Sequence, residues 1–324
     1  MAGSAGTLSW GDRNRNHVWS RKGCSLMQVG LIGLGKMGYN LALNMMDHGH
    51  QVVAYDLHKP AVDAVAKEGA TPATSVSDLV SKLTPPRIVW LMVPHGKPVD
   101  NLIDQLKPLL QSGDIIIEGG NSHYKDSIRH AEDLKKLGIH FFDVGTSGGM
   151  EGARHGACYM IGGDPEVFKT IEPLFRDTAV PNGYVYTGRA GSGHFAKMVH
   201  NGIEYGMMAA IGEGFEVLEK GPFDYDFAEI ARCWSNGSVI RGWLMELAEK
   251  SFREDPRLEK IKGVVHASGE GQWTVQEALE VQAAVPVIAT SVMMRYRSMQ
   301  DDSFSGKVQA ALRNEFGGHA VERA

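Results

Sequence analysis

The sequence predicts an α/β protein: an N-terminal Rossmann doubly wound parallel sheet followed by an all-α domain built on a long central helix. Three observations carry that expectation. A glycine-rich turn joins an apolar run to a helical pattern at residues 28–49. Apolar runs and helical stretches then alternate as far as Gly188, and strand character nearly vanishes beyond it. The composition agrees, because 324 residues with 43% hydrophobic and 22% charged side chains exclude a disordered chain. With 33 Lys+Arg against 38 Asp+Glu the net charge is −5, which gives no general attraction for nucleic acid or an anionic membrane. No run approaches the roughly 18 apolar residues of a membrane span. Cys24, Cys158 and Cys233 are widely spaced without CxxC, as expected of free thiols in a reducing, cytoplasmic setting.

Residues 1–26 carry no helical or strand periodicity and no apolar signal core. They are expected to be a disordered leader, with a transit peptide as the alternative, and the fold to begin at Met27. The expected nucleotide domain is 27–190. Within it VGLIG and QVVAYD flank Gly33-Leu34-Gly35-Lys36-Met37-Gly38 and the helix YNLALNMMDHG, the proportions of a βαβ unit. Further helices are expected at 61–69, 98–110, 126–137 and 165–175, and strands at 87–93, 114–120, 139–145, 158–163 and near 184–187. Fully apolar strands between helices imply a parallel sheet covered on both faces. An all-helical domain is expected over 191–310, with a long buried helix from Gly193 to Lys220 and helical patterns at 226–235, 238–252, 274–299 and 303–314. A tail follows at 311–324. Neither a repeat nor a low-complexity tract is visible.

The glycine turn points to a dinucleotide. Gly33 permits the tight turn, Gly35 lets backbone approach a pyrophosphate, and Gly38 lets the helix pack closely on the strand. Leu34, Lys36 and Met37 complete the turn, whose helix N-terminus attracts phosphate. Asp56, 23 residues after Gly33, ends the second strand, where a carboxylate accepts ribose hydroxyls and repels a 2′-phosphate. NAD is therefore expected over NADP. Val93 and Pro94 are placed as a floor under the nicotinamide ribose. Asn121 is placed as a donor to nicotinamide or substrate, or alternatively as an ordinary turn residue.

Lys197, His200, Asn201 and Glu204 fall at i, i+3, i+4 and i+7, a narrow polar stripe between Phe195, Met198, Val199, Ile203, Met207 and Met208. Spacing alone leaves two readings: a solvent-side Lys–Glu pair, or a buried stripe with shifted proton affinities. In the second, a neutral lysine takes a hydroxyl proton while a hydride leaves for nicotinamide, with Glu204 as the complementary acid. An oxidised 3-hydroxy acid is then an electron sink that permits loss of CO2.

The segments GLGKMGYNLALNM, IIIEGGNSHYKDS, DVGTSGGMEGARHGACYMIGG and HFAKMVHNGIEYG together resemble the 6-phosphogluconate dehydrogenases, from about Met27 to the C-terminus. The pattern Asp143 to Gly149 is similar to that of β-hydroxyacid dehydrogenases generally. The length resembles the short, NAD-preferring form. The resemblance implies oxidative decarboxylation of 6-phospho-D-gluconate to D-ribulose 5-phosphate without metal. It implies Lys197 as base, Glu204 as the acid protonating the carbanion, and Asn201 beside them. Substrate contacts are implied for Ser147, Gly148, Gly149, Asn121, His200 and Asn201, with Tyr205 and Arg295 on the phosphate. Arg313 and His319 resemble a tail that reaches a neighbouring subunit, which implies a homodimer or homotetramer. One motif departs: the family's Lys-Gly-Thr-Gly-Lys-Trp reads Ser268-Gly269-Glu270-Gly271-Gln272-Trp273. Glu270 pointing inward would repel a phosphate. A small 3-hydroxy acid as substrate, or an inactive NAD-binding sensor, are the rival readings.

Overall fold

The computed structural model describes residues 26–323. Of the expected leader only Leu26 is among them. Strands β1 (Gln28–Ile32), β2 (Gln51–Tyr55), β3 (Thr71–Pro72), β4 (Ile88–Leu91), β5 (Ile115–Glu118), β6 (His140–Ser147), β7 (Ala157–Gly162) and β8 (Ala179–Gly188) form one sheet. Its order is β3-β2-β1-β4-β5-β6-β7-β8. Helices α1 (Lys36–Asp47), α2 (Lys59–Lys67), α3 (Val76–Ser81), α4 (Lys97–Leu106), α5 (Tyr124–Lys135), α6 (Gly149–His155) and α7 (Pro165–Thr178) alternate with the strands.

The strands are apolar on both faces because both faces are covered. Val29, Leu31, Ile115, Ile117 and Phe142 join residues of α1, α2 and α7 in one core. Their alternates Ile32, Ile116 and Phe141 join residues of α3, α4 and α5 in a second. The sheet is not wholly parallel as expected. Strand β7 runs antiparallel to β6, and β8 parallel to β7. The short α6 makes this possible, since a parallel return needs a longer crossover. The two-residue β3 and helices α3 and α6 were too short to leave a periodic signal.

Helices α8 (Ser192–Lys220), α9 (Phe227–Ser235), α10 (Trp243–Glu254), α11 (Glu270–Glu280), α12 (Pro286–Ser298) and α13 (Phe304–Gly317) form the second half. The pattern over 274–299 is two helices, not one. Gln282 adopts a positive φ of 59°, and Pro286, which disfavours helix in the residue before it, opens α12. Phe215, Phe227, Met245 and Phe252 make a small aromatic core between α8, α9 and α10. Nor is α8 buried along its length, since Ile203, Met207 and Met208 are exposed.

Candidate active site

Strand order reverses direction between β1 and β4, and the carboxyl ends there open the crevice in which doubly wound sheets hold ligands. Gly33 has φ 98° and donates its N–H to Tyr55 O at 2.9 Å. A Cβ on Gly38 would overlap Gly33 O, so α1 starts directly against the turn. Gly35 is exposed at the N-cap, with no heavy atom within 4 Å of where a Cβ would stand. The first turn of α1 has neither a side-chain cap nor an acidic residue, which leaves its N–H end to an anion.

Asp56 accepts from Leu34 N at 2.6 Å and His58 N at 2.7 Å, which fixes its carboxylate at the end of β2. Leu34 thus spends its N–H on Asp56 and buries its side chain, and it presents neither to a ligand. Lys36 is exposed and Met37 half-buried. The nearby cation Lys59 is exposed and makes a surface ion pair with Asp63 at 2.6 Å. The residues fit a dinucleotide, with Asp56 where its adenosine ribose would lie.

Beyond β4, Val93 is half-buried and Pro94 exposed. Asn121 stands after β5 with φ 58°. Its amide is not wholly open: Oδ1 accepts from Thr146 N at 3.1 Å, and Nδ2 lies 3.5 Å from Thr146 O. Asn121 therefore ties the end of β5 to the end of β6, just before Ser147. Beneath it lies a group the sequence reading missed. Glu118, fully buried, accepts from Gly120 N at 2.7 Å and stands 3.5 Å from His194, which also meets Ser127 Oγ at 2.8 Å. An acid closing an apolar strand was the signal available.

Helix α8 lies directly on β6 and β7. A Cβ on Gly193 would overlap the carbonyls of Asp143 and Met160, and one on Gly145 would overlap Lys197 Cβ. The buried Asp143 carboxylate accepts from Gly191 N at 2.6 Å and His194 N at 2.8 Å, a negative charge at the helix N-terminus. These contacts fix the height of the polar stripe over the strand ends. Lys197 is 5% exposed, which decides against the solvent-side pair. Burial pushes its ammonium pKa down, and the carboxylates of Glu204 and Glu270, then Cys158, push it back up. Ser147 Oγ lies 3.3 Å from His200 Nε2, and His200 Nδ1 lies 2.9 Å from Asn201 Oδ1. Ser147, His200, Asn201 and Lys197 are thereby brought together, with Gly148 and Gly149 in the following left-handed turn.

One turn past Asn201, Glu204 is half-buried. Tyr205 is buried, and its hydroxyl accepts from Ser268 N at 3.0 Å. The Arg295 guanidinium lies 3.3 Å from the Tyr205 ring centroid and donates to His266 O at 3.0 Å. Tyr205 and Arg295 thus meet each other and the 266–268 loop. Arg313 and His319 are exposed on the C-terminal segment, with no hydrogen bond, ion pair or ring contact to the residues around Lys197. Within one protomer the structure does not unite them with the site.

Comparison with known proteins gives a consistent result. The family model described as the NAD binding domain of 6-phosphogluconate dehydrogenase matches residues 28–188, and that of the 6-phosphogluconate dehydrogenase C-terminal domain matches 193–320. A Bacillus subtilis protein, YqeC, whose name as a 6-phosphogluconate dehydrogenase is itself provisional, is 62% identical over 92% of this chain and 100% of its own. A Haloferax volcanii protein named as an NAD(+)-dependent, decarboxylating 6-phosphogluconate dehydrogenase is 46% identical over 92% of this chain and 99% of its own. The solved 6-phosphogluconate dehydrogenase of Plasmodium falciparum superposes with a TM-score of 0.78 at 28% identity, covering 92% of this chain and 66% of that longer one. The chain belongs to the 6-phosphogluconate dehydrogenase family.

Proposed function

We propose that the protein converts 6-phospho-D-gluconate to D-ribulose 5-phosphate and CO2 with reduction of NAD, as a cytoplasmic homodimer or homotetramer. The observation that carries this reading is the buried Lys197, whose Cβ seats against Gly145 of β6 and whose ammonium the Glu204 carboxylate on its own helix favours. NAD, bound at the Gly33–Gly38 turn, supplies the hydride acceptor. Lys197 Nζ takes the C3 hydroxyl proton as the C3 hydrogen leaves with its electron pair, which makes C3 a ketone. Lys197, now an ammonium, donates to that oxygen. The C1–C2 bond then breaks, its electrons form the C2–C3 enediol, and CO2 departs. The enediol oxygen keeps the proton from Lys197. Glu204 next protonates C2, and Lys197 removes the C3 hydroxyl proton to restore the ketone of the product.

Ser147, Gly148, Gly149, His200 and Asn201 hold the carboxylate and hydroxyls in this reading. Asn121 contributes through its grip on Thr146 and any remaining N–H. Tyr205 and Arg295 take the phosphate, and Arg313 and His319 of a second copy complete it. The exposed apolar residues Ile203, Val287, Met293 and Leu312 support such an assembly. Asp56 at the end of β2 supports NAD over NADP. The test is purified protein mixed with 6-phosphogluconate or gluconate and either cofactor, with nicotinamide absorbance and released CO2 followed together. Reduction with equimolar CO2 is expected only with the phosphorylated acid, and fastest with NAD. Absence of turnover on both acids sinks the reading.

A further inference from the structure

Glu270 is a buried carboxylate for which the reaction above has no use. It stands in the first turn of α11, is 9% exposed, and its Oε2 is fully enclosed without a hydrogen-bond partner. Burying an ionised carboxylate without a partner is costly, so its place calls for a compensating charge. The buried Lys197, on the helix against which α11 packs, is the cation that feels it. Thr274, one turn on, donates to Met198 O at 2.7 Å, and a Cβ on Gly202 would overlap its side chain. A Cβ on Gly271 would stand 2.6 Å from the Tyr205 ring. These contacts lock the start of α11 onto α8 along the span from Lys197 to Glu204. Trp273 meanwhile packs edge-on against His95 and His123, at centroid distances of 5.1 Å, and closes α11 over the strand ends of the nucleotide half.

We infer that Glu270 is a positioning residue that acts through Lys197, balancing the positive charge the amine carries between hydride transfer and loss of CO2 while Glu204 holds the proton it later delivers. This rests on Lys197 being the base. Three titratable groups act on the amine: Glu204 from α8, Glu270 from α11 and Cys158 from β7. Asp143 on β6 is committed to the N–H groups of Gly191 and His194. With Glu204 protonated, the Glu270 carboxylate favours the ammonium against burial, so a dry lysine can hold a proton it must later return. Where the family motif carries a neutral threonine, this chain has a counter-charge, and Glu204 is left freer to deliver its own proton.

The test needs no turnover. Trace acylation of Lys197 in the whole protein, read by mass spectrometry across a pH series, reports the fraction of neutral amine. Glu270→Gln should lower the midpoint by about half a pH unit or more, roughly threefold faster labelling at fixed pH below it. The acid limb of kcat/KM should move to lower pH by the same interval. Glu270→Asp should stay with the wild type. A Gln curve that superimposes on the wild type, or an Asp curve displaced as far as Gln, overturns the inference. Melting temperatures report folding, and Glu270→Thr serves if the Gln variant does not fold. Normal turnover by Lys197→Met would instead overturn the base assignment, a result separate from the labelling curve.

Discussion

The two halves of the chain treat their apolar residues differently. In the nucleotide half the central strands β1, β4 and β5 are buried almost throughout between two cores, and the turn at Gly33 is held by backbone bonds of its own half. In the helical half α13 has no buried residue, and Val287, Met293, Met294, Phe304 and Phe316 face outward. One half closes on itself, while the other leaves apolar surface of the kind that marks an interaction site. Cofactor recognition should therefore be robust to changes across the divide, and substrate recognition should not.

The sharpest way to break that contrast is Lys197→Met. It should cut kcat by about 10³-fold or more while NAD affinity, measured by titration calorimetry, stays within error. In the wild type, burial lowers the lysine pKa, so kcat/KM should rise with pH through a midpoint below that of a free lysine. A midpoint at the ordinary lysine value would mean that the amine is solvated. Asp56→Ala tests the other half: NAD affinity should fall roughly tenfold or more, with the NADP ratio narrowed and the substrate KM little changed. Deleting residues 311–324 should raise the substrate KM about tenfold while sparing NAD, if charged tail groups reach a neighbour's substrate. Equal loss of both ligands would erase the distinction between halves. The smallest effect is expected of Gly38→Ala, which forces α1 off the turn at a cost of about 1–3 kcal/mol of stability by thermal unfolding.

The same contrast explains what could be read from sequence. The βαβ unit around Gly33 and Asp56 was legible because burial on both faces writes long apolar runs, and the stripe from Lys197 to Glu204 because polar residues interrupt an apolar helix. The antiparallel β7 was not, since strand direction depends on the length of α6, a glycine-rich helix of only seven residues. The break at Gln282–Pro286 hid inside a helical composition. The exposure of Ile203, Met207 and Met208 was misjudged because periodicity tells which residues shun water and not which chain covers them. At the site, Asn121 was found by its position after β5, but its engagement with Thr146 lies 25 residues away in sequence and leaves no local mark. Glu118 and His194 were passed over for the same reason, as each takes its meaning from another element, and Glu270 was noticed only as a threat to phosphate.

The seat of α8 on the sheet sets a limit on how this enzyme can change. Where Gly145 and Gly193 meet backbone and Lys197 Cβ, no side chain is available to be lengthened or trimmed. The gap between Lys197 and the strand ends is thus not adjustable by point mutation. New acids would have to be accommodated at the far rim, residues 266–273, where only Ser268, Tyr205 and their neighbours need yield. On the proposed function, the chemistry is held by backbone packing and the choice of substrate is the part open to selection.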